Sequence, residues 1–306
     1  MSVDEERKVG RIKPFDVINI IIMIIFIFIM AYPLWFIIVG AFNEGKDYMR
    51  GGVYLWPRVW TLDNFKAVFR DRSIIGAFAV TVAKCAVGTV TSVLFTCLVS
   101  YGLCRPNLKF KKIYVPFIMF TMFFGGGLIP YFLLIRSLHL YNTFWVYILP
   151  CLFGGFYNVI IFNTNFKAIP ESLFESAKMD GASEYRIFFK IVIPLSKPVI
   201  SALGIFTAVA IWNDYTQTLY YTKSTELQTL SYYTLSITKS SESAAKLGST
   251  VGTAASSVLT AMSSSATNYK TIELACMVLS AIPLIVMYPF AQKFFEKGVM
   301  VGSVKG

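Results

Sequence analysis

Few side chains in this sequence could perform chemistry, and their types and spacing narrow what that chemistry is. His139 is the only histidine, so a histidine base has a single candidate. The cysteines Cys85, Cys97, Cys104, Cys151 and Cys276 all fall in apolar runs, where thiols behave as small hydrophobes. No Cys/His spacing suits a metal or a disulfide framework. No GxxxxGK[ST] run occurs that would cradle a nucleotide phosphate. Without a clustered nucleophile, base or metal site, an enzyme is disfavoured. One constellation stands out: Trp212, Asn213, Asp214, Tyr215 and Gln217 lie together in an apolar run. An ionisable residue there is costly and usually faces a cavity or a partner. Packing hydrogen bonds made by Asn213 and Asp214 are the alternative. Lys84, a second charge within an apolar run, either snorkels or pairs with an acid such as Asp214 or Glu273.

The elements that position these residues must cross a membrane. The 306 residues are 56% hydrophobic and 15% charged, with mean hydropathy +0.61, whereas a soluble domain carries about a quarter charged residues. Apolar runs of roughly 20 residues, enough for about 30 Å of hydrocarbon, recur near 16–42, 74–104, 113–135, 142–166, 199–222 and 271–295. The first follows MSVDEERKVGRIKP, exceeds a signal-peptide core and lacks a cleavage site, so a retained span is expected. With both termini cytoplasmic, 16 of the 28 Lys and Arg residues lie on inner segments and 11 on the longer outer ones. This asymmetry orients the chain, and it makes the net charge of +11 a matter of topology rather than of nucleic-acid binding.

Several features punctuate the runs. The outer loop 43–73, with Trp56 and Trp60, is placed at the headgroup level, with Thr61 or Asp63 capping a short helix through Phe69. Gly125-Gly126-Gly127 and Pro130 should break the third run, which is tolerated where the break faces protein or water; close helix packing is the other use of such glycines. The Ser/Thr/Ala-rich stretch 236–267 reads as a flexible linker or, from Val251, Ala255, Val258, Leu259 and Met262, as a short amphipathic helix.

Between the fourth and fifth runs lies ESAKMDGASEYRIFFKIVIP, Glu175 to Pro194. Pro170 heads a candidate helix, and Ser172 with Glu175 fits a capping box. The helix should end at Asp180-Gly181, where glycine can adopt a left-handed conformation. A second helix from Ala182 or Ser183 presents Tyr185, Phe188, Phe189 and Val192 and stops at Pro194 and Pro198, while Glu171, Lys178, Glu184, Arg186 and Lys190 form a charged face. A loop that merely joins two spans needs about five residues, so a rigid docking knob is expected. An amphipathic pair lying on the membrane is the alternative, although such helices carry a cationic excess that is missing here.

The knob carries a resemblance. Glu175-Ser176-Ala177, three residues, Gly181, nine residues, Ile191, one residue and Ile193-Pro194 resemble the cytoplasmic pattern Glu-Ala-Ala, Gly, Ile, Leu-Pro of the inner-membrane permeases of binding-protein-dependent ABC importers. Ser176 and Ile193 depart conservatively and the spacing is intact. Trp212-Asn213-Asp214-Tyr215 resembles a run in the oligosaccharide branch, the maltose-type permeases, though Gln217-Thr218 replaces the usual Trp-Pro. YPFAQKFFEKGVMVGSVKG and GGGLIPYFLLIRSLHLYNTFWVYILP are similar to the aldouronate-type or lipoprotein-type subgroup.

The resemblance implies an all-α membrane protein with the MetI-like type I importer permease fold, six transmembrane helices and both termini cytoplasmic. The implied layout is a tail 1–15, a first span and outer loop 16–73, a permease core 74–295 with coupling segment 168–198 and outer insertion 236–267, and a tail 296–306. Glu175, Ala177, Gly181, Ile191 and Pro194 would couple to a separate ATPase. Gly302, Lys305 and Gly306 would make a second contact with it. Trp212, Asn213, Asp214, Tyr215 and Gln217 would line the substrate path. ATP and Mg would be bound by that partner, with no cofactor in this chain. Further implied partners are a second, non-identical permease, an ATPase homodimer or heterodimer, an extracytoplasmic binding protein with its oligosaccharide, and membrane lipid, in the bacterial plasma membrane. A homodimeric permease for another solute, or an ion-coupled secondary sugar transporter, is the alternative reading. The secondary transporter predicts repeated halves and midplane acids, and neither is visible.

Overall fold

In hydrocarbon each backbone amide must be satisfied within the protein, so spanning segments are helices or closed barrels. The computed structural model describes residues 14–106, 108–153, 155–239 and 268–303, and among these it forms helices and no strand. In order they are α1 (Pro14–Ala41), α2 (Gly45–Met49), α3 (Asp63–Arg70), α4 (Arg72–Cys104), α5 (Lys111–Phe123), α6 (Leu128–Ser137), α7 (Leu149–Phe153), α8 (Phe156–Lys167), α9 (Glu171–Met179), α10 (Glu184–Leu195), α11 (Lys197–Asn213), α12 (Thr216–Tyr221), α13 (230–239) and α14 (Tyr269–Ser303). By length and composition, α1, α4 and the Tyr269–Pro289 part of α14 can each cross a membrane alone. The total reaches six only if each of three bent helix pairs counts as one span.

One compact unit comprises residues 1–67 and 245–278. Buried amides knit its described part together. Asn64 Nδ2 donates to the carbonyls of Ala41 and Asn43, each at 2.8 Å, closing the end of α1, and the Thr271 hydroxyl donates to Asn64 Oδ1 at 2.8 Å. Asn43 Oδ1 accepts from the amides of Arg58 and Val59, which pins the outer loop. Of the two expected caps of α3 it is Thr61 that serves: Asp63 is the first helical residue, and the Thr61 hydroxyl accepts from its amide.

The second unit comprises residues 68–244 and 279–306 and is organised around α4. Asp71 caps this helix by accepting from Ser73 N at 2.9 Å. Along α4, Thr96 and Ser100 return their hydroxyls to carbonyls one turn back, which satisfies each hydroxyl within the helix. Ser92 Oγ instead donates to Cys151 O. A Cβ on Gly155 would lie 2.9 Å from Thr96 Oγ1, so the start of α8 approaches α4 this closely only because glycine stands there.

Two expected spans differ from the sequence reading. The third is broken as expected, with α5 and α6 meeting at 115° and Gly127 at φ +85. Among the described residues of this chain, however, nothing lies within 4 Å of a Cβ built on Gly125 or Gly127, so the break neither faces protein of this chain nor permits close packing within it. The fifth, 199–222, is not one helix. It starts at Lys197 and stops at Asn213, because the Asp214 carboxylate turns back to accept from Thr216 N at 3.0 Å and starts α12. The stretch 240–267, including the candidate helix at 251–262, lies outside the described residues.

One end of this unit is an apolar core. Val93, Cys97 and Tyr101 of α4, Phe162 and Phe166 of α8, and Leu203 of α11 pack with Phe174 of α9 and with Ile187, Phe188 and Val192 of α10. Phe188 is fully buried, its ring 5.2 Å from that of Tyr101. Phe188→Ala is expected to cost about 3–5 kcal/mol of stability, read as a clear drop in Tm of the detergent-solubilised protein. An unchanged Tm would mean that α10 does not belong to this core.

Candidate functional site

The segment Glu171 to Leu195 forms two helices joined by a tight reversal. Gly181 has φ +74, a left-handed conformation that glycine adopts without strain. Gly181 N donates to Lys178 O at 3.0 Å and Ala182 N to Ala177 O at 2.9 Å, which is the paired bonding of a Schellman C-cap. Ser183 caps α10 by accepting from Arg186 N. The capping box expected from Ser172 and Glu175 does not form. The helix starts at Glu171 with Pro170 as its N-cap, so Ser172 is already inside the first turn and has no exposed amide to accept from.

Pro194 does not end α10. A single wide π turn, Phe188–Val192, precedes it, and Ile193 N reaches back to Phe188 O. Such a turn accommodates a residue that has no amide donor and whose ring would crowd the preceding carbonyl. The chain then bends by 82° at Ser196 into α11. The aromatic face also differs from expectation. Ile187, Phe188 and Val192 point into the core, while Tyr185 and Phe189 are exposed. Ala177 and Ile191 pack against the same core, whereas Glu175, Ser176, Met179 and Pro194 face outward. Because the apolar side of the pair is buried within this chain, it is not free to lie on a lipid surface.

A polar clasp joins the pair to α4. Arg105, at the C-cap of α4, donates to Glu184 Oε2 through Nη2 at 2.7 Å and Nε at 3.1 Å. Its guanidinium lies 4.4 Å from the Tyr101 ring centre and 4.3 Å from that of Phe174, and it also donates to the Tyr101 hydroxyl. Tyr101 in turn donates to Glu184 at 2.5 Å, and Lys178 of α9 reaches Glu184 Oε1 at 3.1 Å. Burial works to raise the Glu184 pKa, but the hydrogen bonds from Tyr101, Lys178 and Arg105 outweigh it and hold it down at about 2. The carboxylate is therefore fully charged at neutral pH, and its contribution is lost only as the pH falls from 4.5 towards about 2.

Further back along α4, well inside the helix, lies a second cation. Lys84 is 1% exposed, and its Nζ lies 2.8 Å from Asp214 Oδ2, 3.1 Å from Asp214 O and 4.8 Å from the centre of the Tyr147 ring. Tyr147 continues the network by donating to Leu227 O at 2.6 Å and meeting Thr218, which meets Thr229. Between the two cations, a cavity of about 330 Å³ opens among Ser92, Asn158, Phe206 and Thr207.

With this geometry in place, the comparisons with known proteins converge. Residues 11–301 match the family model described as binding-protein-dependent transport system inner membrane component. The chain belongs to this family. It is 35% identical to protein LplC of Bacillus subtilis (strain 168) over 98% of this chain and 97% of that one. It is 34% identical to the polygalacturonan/rhamnogalacturonan transport system permease protein YtcP of the same organism, over 95% and 98%. Among solved structures it matches a chain of a bacterial ABC transporter involved in the import of the acidic polysaccharide alginate, with TM-score 0.80, 26% identity and coverage of 96% and 100%.

Within the family fold, the run Trp212 to Gln217 is not a single surface. Trp212 is buried, its indole edge-on to Phe78 and its Nε1 donating to Ser280 O at 3.1 Å. Asp214 is held by Lys84 and by the turn into α12. Asn213 and Tyr215 are exposed, and Asn213 Nδ2 donates back to Val209 O. Gln217 Oε1 is buried with no hydrogen-bond partner among the described residues. Gly302 lies in the last turn of α14, and Lys305 and Gly306 lie outside the described residues. Sequence reasoning missed Tyr101, Arg105 and the role of Glu184. Nothing in residue order marked the pair, because Arg105 and Glu184 stand 79 positions apart and helical periodicity assigned Glu184 to solvent.

Removing one member of a buried ion pair leaves an uncompensated charge, which costs about 3–5 kcal/mol. Asp214→Ala is expected to lose that much, seen as reduced yield and lower Tm, whereas Lys84→Met combined with Asp214→Asn should recover most of it. Equal Tm values for the single and double variants would contradict the pairing.

Proposed function

We propose that this chain is one permease subunit of an ATP-driven ABC importer, forming half of the path for an oligosaccharide delivered by an extracytoplasmic binding protein. In this reading it crosses a bacterial plasma membrane six times with both termini cytoplasmic, the bent pairs α5/α6 and α7/α8 each counting as a span. The fifth span is α11. The sequence divides as set out above, with 168–198 as the coupling segment. The chain catalyses nothing itself: ATP and Mg belong to a separate ATPase dimer, and a second, non-identical permease completes the path.

The observation that carries the reading is the reversal at Gly181. Two short helices are locked by the left-handed turn and by a shared core, while Glu175, Ser176, Met179 and Tyr185 remain exposed. A docking element that receives force needs this combination of stiffness on one side and open surface on the other. Family membership supports an ABC importer over an ion-coupled secondary transporter. The relative named for polygalacturonan/rhamnogalacturonan transport and the alginate importer support an oligosaccharide as cargo.

Gly181→Val forces a β-branched residue into a left-handed backbone, where even an ordinary L-residue costs roughly 1–2 kcal/mol. A Cβ there would meet nothing within 4 Å, so the strain of the added branch point comes from the backbone conformation. In proteoliposomes containing the reconstituted complex, Gly181→Val is expected to insert normally and to lose ATP-driven uptake. Gly181→Asn, which tolerates this conformation, should retain most of it. Unchanged uptake with Gly181→Val would sink the docking assignment, and transport by the isolated chain down an ion gradient would sink the importer reading.

A further inference from the structure

We propose that Arg105 is the positioning residue that carries displacement of the knob into α4, acting through Glu184 of α10 and Phe174 of α9. The inference rests on the reading of Glu171 to Leu195 as the ATPase-docking element and adds the route by which force leaves it.

A knob pushed from below can yield at two joints, the reversal at Gly181 and the 82° bend at Ser196. The apolar core beneath it resists separation, but dispersion contacts are non-directional and permit sliding. Directional resistance comes from the clasp. Arg105 follows the last residue of α4, stacks on the Phe174 ring of one knob helix and donates two hydrogen bonds to Glu184 of the other. It therefore touches both knob helices while continuous with the span. Lys178 ties α9 to the same carboxylate across the Gly181 reversal, so that joint is bridged as well. The Arg105 side chain is only 15% exposed, while the Glu184 carboxylate it grips is half exposed, so the clasp draws on stacking as well as on its hydrogen bonds. A planar fork that stacks and donates twice is specific to arginine, and lysine supplies the charge without either contact.

The test uses the full complex of this chain with its partner permease, ATPase subunits and binding protein, in proteoliposomes. Met179, 88% exposed on the knob, is replaced by Cys in a background without the native cysteines, and its cross-linking to the ATPase subunit is measured alongside sugar imported per ATP hydrolysed. With Arg105→Lys the cross-link should persist while import per ATP falls about tenfold, the factor matching loss of one charge-assisted hydrogen bond. Glu184→Gln should behave the same way, and Arg105→Glu with Glu184→Arg should recover part of the ratio. A role in stability alone would lower yield, uptake and hydrolysis together and leave import per ATP unchanged, which overturns the proposal. If Arg105→Lys does not assemble, Glu184→Gln decides by the same ratio. A persistent cross-link with an unchanged ratio refutes the clasp and spares the docking reading. No cross-link in the Met179→Cys protein with Arg105 intact refutes both.

Discussion

The constraint on which this end of the permease depends is that the segment Glu171 to Leu195 has no independent core. Phe174, Ile187, Phe188 and Val192 are removed from water only by packing on Tyr101, Phe162, Phe166 and Leu203, which belong to α4, α8 and α11. Burying four such side chains stabilises the arrangement by roughly 1.5–3 kcal/mol each. The rest follows from that burial. Gly181 must reverse the chain so that both helices face the same core. The π turn before Pro194 must pass the proline without ending α10, and the bend at Ser196 must then direct the chain into α11.

The long helix α4 is held by a cation at each of two levels, Lys84 with Asp214 and Arg105 with Glu184. At a rise of 1.5 Å per residue they are separated by roughly 31 Å along the axis, close to the thickness of the hydrocarbon. The two pairs differ in kind. Lys84 is fully buried, so its pair exists because a charge there cannot stand alone. The Glu184 carboxylate is half exposed, and its pair gains its worth from stacking and from a network of donors rather than from bare Coulomb attraction. Between them, Ser92, Thr96 and Ser100 keep α4 polar on the side that meets α7 and α8, with Gly155 permitting the close approach.

Much of this was legible in residue order because the physics was local. Run length marked α1, α4 and α14 as helices long and apolar enough to cross a membrane, Gly125 to Gly127 gave the break, and Asp180-Gly181 gave a left-handed reversal that only a few residues can adopt. Misreadings arose where tertiary contacts decided. Tyr185 and Phe189 share aromatic character with Phe188, but the phase of α10 is set by the core, which selects Ile187, Phe188 and Val192. Ser172 and Glu175 had capping-box spacing, yet the helix began two residues too early for the box to close. Asp214 looked intrahelical because its neighbours are apolar, and it is instead the residue that ends the helix, drawn to Lys84 about 130 positions away. The clasp was invisible for the same reason, since Arg105 and Glu184 meet only after three helices have packed.

The central claim is that knob and α4 form one mechanical body. Pulsed electron paramagnetic resonance between spin labels at Met179 on the knob and Leu98 on the exposed side of α4 tests it most directly, in the complex with its native cysteines replaced. The account predicts one narrow distance distribution that stays put between the nucleotide-free and ATP-trapped states, even as distances from Met179 to the partner permease change. A distribution that shifts or splits on ATP binding would mean that the knob moves on its own and would contradict the account.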